Sequence, residues 1–361
     1  MLAPEGRLLS VTVIVPFHRN LAQLAQSLSA IRQSVPDAEL IVAADGAVDD
    51  CQALAAEHRA RVVVVPGPSG PAVARNRAAA VASGDVLVFV DADVVPAPDA
   101  IPGMCGLLDR EPRLAGVFGA YDHHPSAPNF MSQFKNLSHT YVHEIGNPDA
   151  KTFWAGLGAV RRAAFQAVGG YDERFRRPSV EDIELGYRLV GAGYPLRLDP
   201  TFRGTHLKRW TLWNCIVTDI RARGVPWTQL IHHFKAQSND LNLSTALRAS
   251  VVVSYLFLAA ILTVVITPWA LAAAAALVVA LVVLNRDYYR WFARERGVWF
   301  AARVVGVHLI HHLCNGVSFV AGTALHLASR VGIKLPGALP DTRWTAERAG
   351  EAQVSAGQPS R

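Results

Sequence analysis

The stretch from Ala249 to Asn285 contains no Asp, Glu, Lys or Arg, and this restricts the possible folds more than any other feature. A single bilayer crossing needs about 20 apolar residues, and this run is far longer. Thr267-Pro268-Trp269 interrupts it near its middle. The pattern predicts a helical hairpin over Ser250–Ile266 and Ala270–Leu284, with a Pro-Trp turn at the far interface. A buried soluble hairpin is the alternative. Val304–Ser329 is also free of Lys, Arg, Asp and Glu but carries His308, His311, His312 and His326. It is expected to form a third crossing, or else to lie against the hairpin or in the interface. The histidine spacing suits hydrogen bonds between helices; a metal or phosphate is the other reading. Arg286, Arg290, Arg294, Arg296 and Arg303 are mixed with Tyr288, Tyr289, Trp291 and Phe292 between the spans. Cations among aromatic rings suit a headgroup layer. By the positive-inside rule this loop and the preceding soluble part face the cytoplasm, which predicts a multi-pass protein of the cytoplasmic (inner) membrane.

The first two hundred residues follow another pattern. Val11–Val15 reads as a strand ending at Pro16, and Leu21, Leu24, Leu28 and Ile31 then recur at helical spacing after Asn20, a candidate N-cap. Leu40–Ala44 is a second strand, followed by a helix over about 48–58, a strand at Arg61–Val65, and a helix near Ala72–Ala82 closed by Gly84. Strands alternating with helices predict an α/β unit, a doubly wound, mostly parallel sheet with helices on both faces. The division expected is 1–210 for this unit, 211–247 for interfacial amphipathic helices, 248–330 for an all-α membrane region and 331–361 for a disordered tail. Trp213, Trp227, His232, His233 and Lys235 mark the interfacial part.

Other function classes are disfavoured. No G-x-G-x-x-G follows the first strand and no P-loop is present. The net charge of +6 gathers near the apolar spans, with no nucleic-acid motif, so a membrane surface explains it better than nucleic acid. Cys51, Cys105, Cys215 and Cys314 lack metal-type spacing and read as reduced thiols. Pro4, Glu5 and Gly6 interrupt the start, so no secretory signal is expected.

Val86–Val90 is an unbroken apolar run, as in a strand buried on both faces, and it leads directly into Asp91-Ala92-Asp93. Residues at the carboxyl end of such a strand sit where open α/β sheets bind ligands. Alternation brings Asp91 and Asp93 to one side, where they repel unless a divalent cation lies between them. A plain polar turn is the alternative. Asp45 ends the second strand at the same edge, where it either accepts hydrogen bonds from a nucleoside or belongs to a turn with Gly46. Arg75 near the next helix start either faces phosphate or pairs with a carboxylate. Further on, Val180, Ile183, Tyr187 and Val190 define a core-facing helix side, with Glu184 and Arg188 expected as an exposed i, i+4 pair and Gly191 and Gly193 ending the helix. Asp182 then sits near the helix N-terminus, where the dipole favours a carboxylate.

The order of these motifs resembles the family-2 glycosyltransferases of the GT-A fold. The resemblance rests on Val13-Ile14-Val15-Pro16, Asp45, Ala74-Arg75-Asn76 before Gly84-Asp85, Asp91-Ala92-Asp93, Gly169-Gly170-Tyr171-Asp172 and Val180-Glu181-Asp182, and covers about residues 10–210. It implies that the first-strand loop with Pro16 and Asp45 hold the nucleobase, and that Asp91 and Asp93 hold ribose and a metal-bound diphosphate. Asp182 is the implied general base. A histidine after the base is a further metal ligand in many such enzymes, and His206 resembles it, so Asp91, Asp93 and His206 are the candidate ligands for Mn²⁺ or Mg²⁺. A histidine at a membrane junction is the plainer reading. Processive synthases carry Gln-x-x-Arg-Trp here; this chain has His206 in place of Gln and retains Arg209 and Trp210, which argues against processivity. The resemblance leaves Arg209 as a diphosphate contact and Trp210 at the acceptor. Arg75 joins the candidate donor-binding residues, and Trp154 and Gly156 the candidate acceptor-binding ones because glycine allows close contact, though packing explains that segment equally well.

The chemistry expected is a single inverting displacement. An acceptor hydroxyl attacks the anomeric carbon of a nucleotide-diphosphate sugar, a carboxylate takes its proton, and a cation stabilises the leaving diphosphate. The acceptor would be lipid-linked or an envelope saccharide. A polyprenyl phosphate acceptor, which needs no base, is the nearest alternative, and a non-catalytic membrane scaffold a more distant one. Oligomeric state is not legible.

Overall fold

The computed structural model describes residues 9–46, 49–235, 245–333 and 335–339, in two compact units that divide after Arg209. The first opens with β1 (Val11–Phe17), α1 (Leu21–Ser34), β2 (Glu39–Asp45), α2 (Asp49–Glu57), β3 (Arg61–Val65), α3 (Pro71–Val81) and β4 (Val86–Val90). Asn20 caps α1 as expected, its side chain accepting from Gln23 N at 3.3 Å. These strands pair in parallel in the order β3-β2-β1-β4, with Val13 beside Leu40 and Val88. Helical crossovers impose that arrangement, and all of β4 is buried, as its uninterrupted apolar run requires.

Beyond β4 the sheet becomes mixed. The chain continues through β5 (Val94–Pro96), α4 (Ala100–Arg110), β6 (Gly116–Tyr121), α5 (Phe130–Glu144), β7 (Asp149–Ala150), β8 (Leu157–Arg161), α6 (Arg162–Ala167), α7 (Glu181–Gly191) and β9 (Leu196–His206). β8 lies antiparallel between β4 and β6, and β9 runs parallel to β6 but antiparallel to β5 and β7. The described residues thus form the mixed sheet expected, of nine strands with helices around it.

One expectation about α7 fails. Glu184 and Arg188 form the i, i+4 pair, with two bonds of 2.6 Å, but their side chains are 1% and 5% exposed. Arg188 also donates to Val168 O at 2.5 Å. α7 is enclosed on most of its circumference, and the two charges are tolerated inside because each satisfies the other. Periodicity alone assigns them to solvent because it cannot see what covers the second face.

The second unit comprises α8 (Leu212–Val217), a π-helical turn (Thr218–Gly224), α9 (Val225–Phe234), α10 (Thr245–Thr263), α11 (Trp269–Leu284), α12 (Arg286–Arg296) and α13 (Val298–Arg330). The expected hairpin is α10 and α11. Asn285 joins its open end, donating to Ser250 Oγ at 2.8 Å and Leu281 O at 2.9 Å. Tyr255 packs its ring against Gly316 of α13, where a Cβ would come within 2.2 Å, and donates to Leu313 O. α10 and α13 are each long and apolar enough to cross a membrane, and α11 with α12 form a third candidate bent by 76°. Val252, Leu256, Leu262, Val279 and Val283 are exposed on this unit, the surface expected of helices that meet lipid.

Of the histidines at helical spacing on α13, His308 bonds to Tyr289 Oη at 3.0 Å and His311 to Asp219 at 3.0 Å, between elements as expected, while both His312 nitrogens are buried without a hydrogen-bond partner. His232 of α9 bonds to Thr323 at 2.9 Å. The parts of the expected interfacial stretch at 236–244 and of the expected disordered tail at 340–361 lie outside the described residues.

Candidate functional site

The carboxyl ends of β1, β2 and β4 form one edge, and the predicted residues of the first unit divide between two places along it. Pro16 lies in β1 beside Ala43. Asp45 is buried, and its oxygens accept from Ser69 N (2.7 Å) and Gly70 N (2.8 Å), so it holds the loop that leads into α3. Gly70 has φ +97° and a Cβ there would come within 2.7 Å of Arg176 carbonyl carbon, which is why the loop carries glycine. Each Asp45 oxygen retains a second lone pair toward the edge.

At β4 the carboxylates are organised by a single cation. Arg75, on α3, reaches Asp91 Oδ1 at 2.7 Å and Glu181 Oε1 at 3.0 Å. The side chains of Arg75 and Glu181 are 5% and 6% exposed, and that of Asp91 33%. Burial opposes the guanidinium charge, but the anions around it, Asp91 foremost, raise its pKa and keep it protonated. Burial raises the Asp91 pKa, with Arg75 opposing and Asp93 reinforcing the shift. Asn76, next to Arg75, grips Tyr171 by both backbone groups, donating to its O and accepting from its N at 2.8 Å. This places the Tyr171 ring 5.3 Å from the Arg75 guanidinium carbon.

Asp182 occupies the first turn of α7 and accepts from Ala155 N (3.2 Å) and from its neighbour Ile183 N (2.8 Å). Burial first, then repulsion from Glu181, outweighs Arg75 and these bonds, and pushes its pKa up to about 7. The segment Trp154–Gly156 joins the two carboxylate centres: Ala155 N reaches Asp182, and Gly156 O accepts from Asp91 N at 3.1 Å. Gly156 lies so close to the Trp154 indole that a Cβ would meet its Cζ2 at 2.4 Å. The Trp154 ring in turn packs on Tyr121, His139 and His143.

Asp93 faces His206, with Oδ2 at 3.3 Å from Nε2. Burial raises the Asp93 pKa, but the His206 contact prevails and holds it below the usual carboxylate range. His206 Nδ1 donates to Asn136 Oδ1 at 2.6 Å, and the ring stacks on Tyr121 at 4.3 Å. The Asn136 carbonyl fixes Nδ1, so Nε2 is the nitrogen presented to the Asp93 carboxylate, as a donor to it or, with a cation between them, as a ligand beside it. Asp93 and His206 are thus the candidate metal pair, with positions left for phosphate and water.

Among the described residues no three His, Cys, Asp or Glu side chains converge to hold a metal. Of the three expected ligands, Asp93 and His206 face one another, while Arg75 engages Asp91 Oδ1. Arg209 is exposed at the end of the first unit, and Trp210 is buried within the second. Sequence reading missed Asn136 and gave Glu181 no role of its own. A signal for the former exists: Ser132, Asn136, Thr140 and His143 form a buried polar stripe at helical spacing along α5.

Residues 12–169 match the family described as glycosyl transferase family 2. A pre-mycofactocin glycosyltransferase of Mycobacterium tuberculosis is 28% identical over 213 residues, 56% of this chain and 43% of that protein. A validoxylamine A glucosyltransferase of Streptomyces hygroscopicus subsp. jinggangensis is 26% identical over 224 residues, 52% of each. The chain thus spans about half the length of the curated relatives it matches. Among solved structures, the mannosyltransferase PcManGT of Pyrobaculum calidifontis, in complex with GDP-Man and Mn²⁺, superposes with a TM-score of 0.54 at 19% identity, over 91% of this chain and 90% of that one.

Proposed function

We propose that this chain, whose residues 12–169 match glycosyl transferase family 2, is a membrane-bound, metal-dependent, inverting transferase that moves one sugar from a nucleotide-diphosphate donor to a hydroxyl of a lipid-linked or saccharide acceptor. The observation that carries this reading is the partly buried Asp182, raised to about 7 and joined to the Asp91 end of β4 through Trp154–Gly156. A carboxylate tuned to neutrality is matched to taking a proton from a hydroxyl; a phosphate acceptor would have no proton to give up.

Asp182 accepts the acceptor proton as attack proceeds, and its two backbone donors hold the carboxylate in place meanwhile. Asp91, oriented by Arg75, faces the donor ribose. Pro16 and the Asp45-held loop border the nucleobase. Trp154 offers an aromatic wall to the acceptor, and Gly156 lets that indole pack closely over it. Arg209, and the cationic end of Arg75, attract the diphosphate. Bound Mn²⁺ or Mg²⁺, held by Asp93 and His206, supplies Lewis-acid stabilisation of the leaving diphosphate. The apolar helices of the second unit anchor the enzyme in the inner membrane, with the catalytic unit facing the cytoplasm by the positive-inside rule.

A donor screen tests the reading. Purified full-length chain is incubated with Mn²⁺ and UDP-, GDP- and dTDP-sugars, and nucleoside diphosphate release and thermal stabilisation are followed. One responding donor is expected. Nucleotide at a hundredfold excess over Kd should stabilise wild type by about 2.7 kcal/mol in all, and Asp93→Ala should lose the Mn²⁺-dependent part of that gain. Equal stabilisation of Asp93→Ala and wild type would remove Asp93 from the metal site.

A further inference from the structure

We propose that the outward face of α12 is a binding surface for the phosphate groups of anionic phospholipids. The inference rests on the reading of the second unit as membrane-embedded and adds a lipid selectivity to it. Arg286, Arg290 and Arg294 recur every fourth residue and are all exposed, the first two with side chains 66% and 70% accessible. Tyr288, Tyr289 and Phe292 on the opposite side are buried. The arginine stripe is therefore held outward by packing behind it, and Tyr289 is further secured by its bond to His308.

The bend at Asn285 sets the direction of this face. α11 is charge-free and α12 departs from it by 76°, so a crossing α11 leaves α12 running nearly along the bilayer surface, at headgroup depth. The two bonds of Asn285 to Ser250 and Leu281 fix that corner to the hairpin. A shallow, open stretch of surface along the stripe is bordered by Asp287, Arg290, Ala293 and Arg294. Asp287 stands 3.7 Å from both Arg286 Nε and Arg290 Nη1, beyond hydrogen-bonding distance, so the guanidinium donors remain available while the local charge stays positive. Planar guanidinium groups engage phosphate with two parallel bonds, and a row of them at the surface of the bilayer fits an anionic headgroup better than a zwitterionic one.

The test is native mass spectrometry of the detergent-solubilised full chain offered equal phosphatidylglycerol and phosphatidylcholine, without sugar donor. Wild type should retain phosphatidylglycerol preferentially. The triple variant R286Q/R290Q/R294Q should reduce that preference about tenfold or more, since each cation near an anionic surface contributes roughly a fivefold factor. Its side chains are exposed, and an unchanged melting temperature would exclude misfolding; R286K/R290K/R294K, which keeps the charge, should retain part of the preference. Equal retention of the two lipids by wild type, or undiminished selectivity in the glutamine variant, would overturn the proposal. Donor turnover is measured separately, so failure of lipid selectivity and failure of the glycosyltransferase reading are distinguishable. A chain that stays soluble and monodisperse without detergent would instead remove the membrane premise itself.

Discussion

Asp182→Asn is expected to lower kcat by about 10²–10⁴-fold, the range associated with loss of a general base, while leaving nucleoside diphosphate binding intact. The amide keeps the size of the carboxylate and one of its two backbone contacts, since Ala155 N and Ile183 N donate to different oxygens, and it cannot accept a proton. In the wild type the base is the ionised form. With the Asp182 pKa raised to about 7, by burial first and Glu181 second, kcat should fall tenfold per pH unit below about 7 and level off above it. Rapid-quench turnover across pH 5.5 to 8.5 reads both effects. Full turnover by Asp182→Asn would redirect the assignment toward a phosphate acceptor, and a pH-independent kcat would remove Asp182 as the base.

Arg75→Met should be among the most destabilising single changes in the first unit. Removing one partner of a buried ion pair costs about 3–5 kcal/mol, because the charges left behind lose their compensation. The partial exposure of Asp91 argues for the lower end, since water can reach that carboxylate; Glu181 has no such relief. At roughly 2–4 °C per kcal/mol for a unit of this size, the melting temperature should drop by about 6–12 °C. Arg75 also lowers the Asp182 pKa, so any surviving activity should show its pH midpoint displaced upward. Arg75→Lys restores the charge but not the fork that reaches two carboxylates, and should recover only part of the loss. An unchanged melting temperature would mean that the bridge between α3, β4 and α7 contributes nothing to the fold.

Much of the molecule is legible one residue at a time. The strand at Arg61–Val65, the Asn20 cap, the apolar run ending at Asp91 and the charge-free hairpin each depend on local propensity and periodicity, which act within a few residues. The motif order was also enough to indicate the family. The antiparallel β8 was not legible by this route, since a pairing direction depends on where the returning chain finds an open edge. The α7 pair went wrong for a related reason. A hydrophobic stripe identifies one buried face, but Glu184 and Arg188 are covered by segments distant in sequence, including the carbonyl of Val168.

The same division runs through the candidate site. Sequence by itself determined which carboxylates stand at strand ends and helix starts, because strand alternation and helix polarity are local properties of the backbone. Only the tertiary structure decided their partners. Arg75 meets Glu181 across 106 positions, and His206 meets Asn136 across 70. Those contacts set which acid titrates near pH 7 and which oxygen is already engaged. Such properties arise from desolvation and Coulomb interactions over a few ångströms, and those distances exist only once the sheet has brought α3, α5, α7 and β9 to one edge.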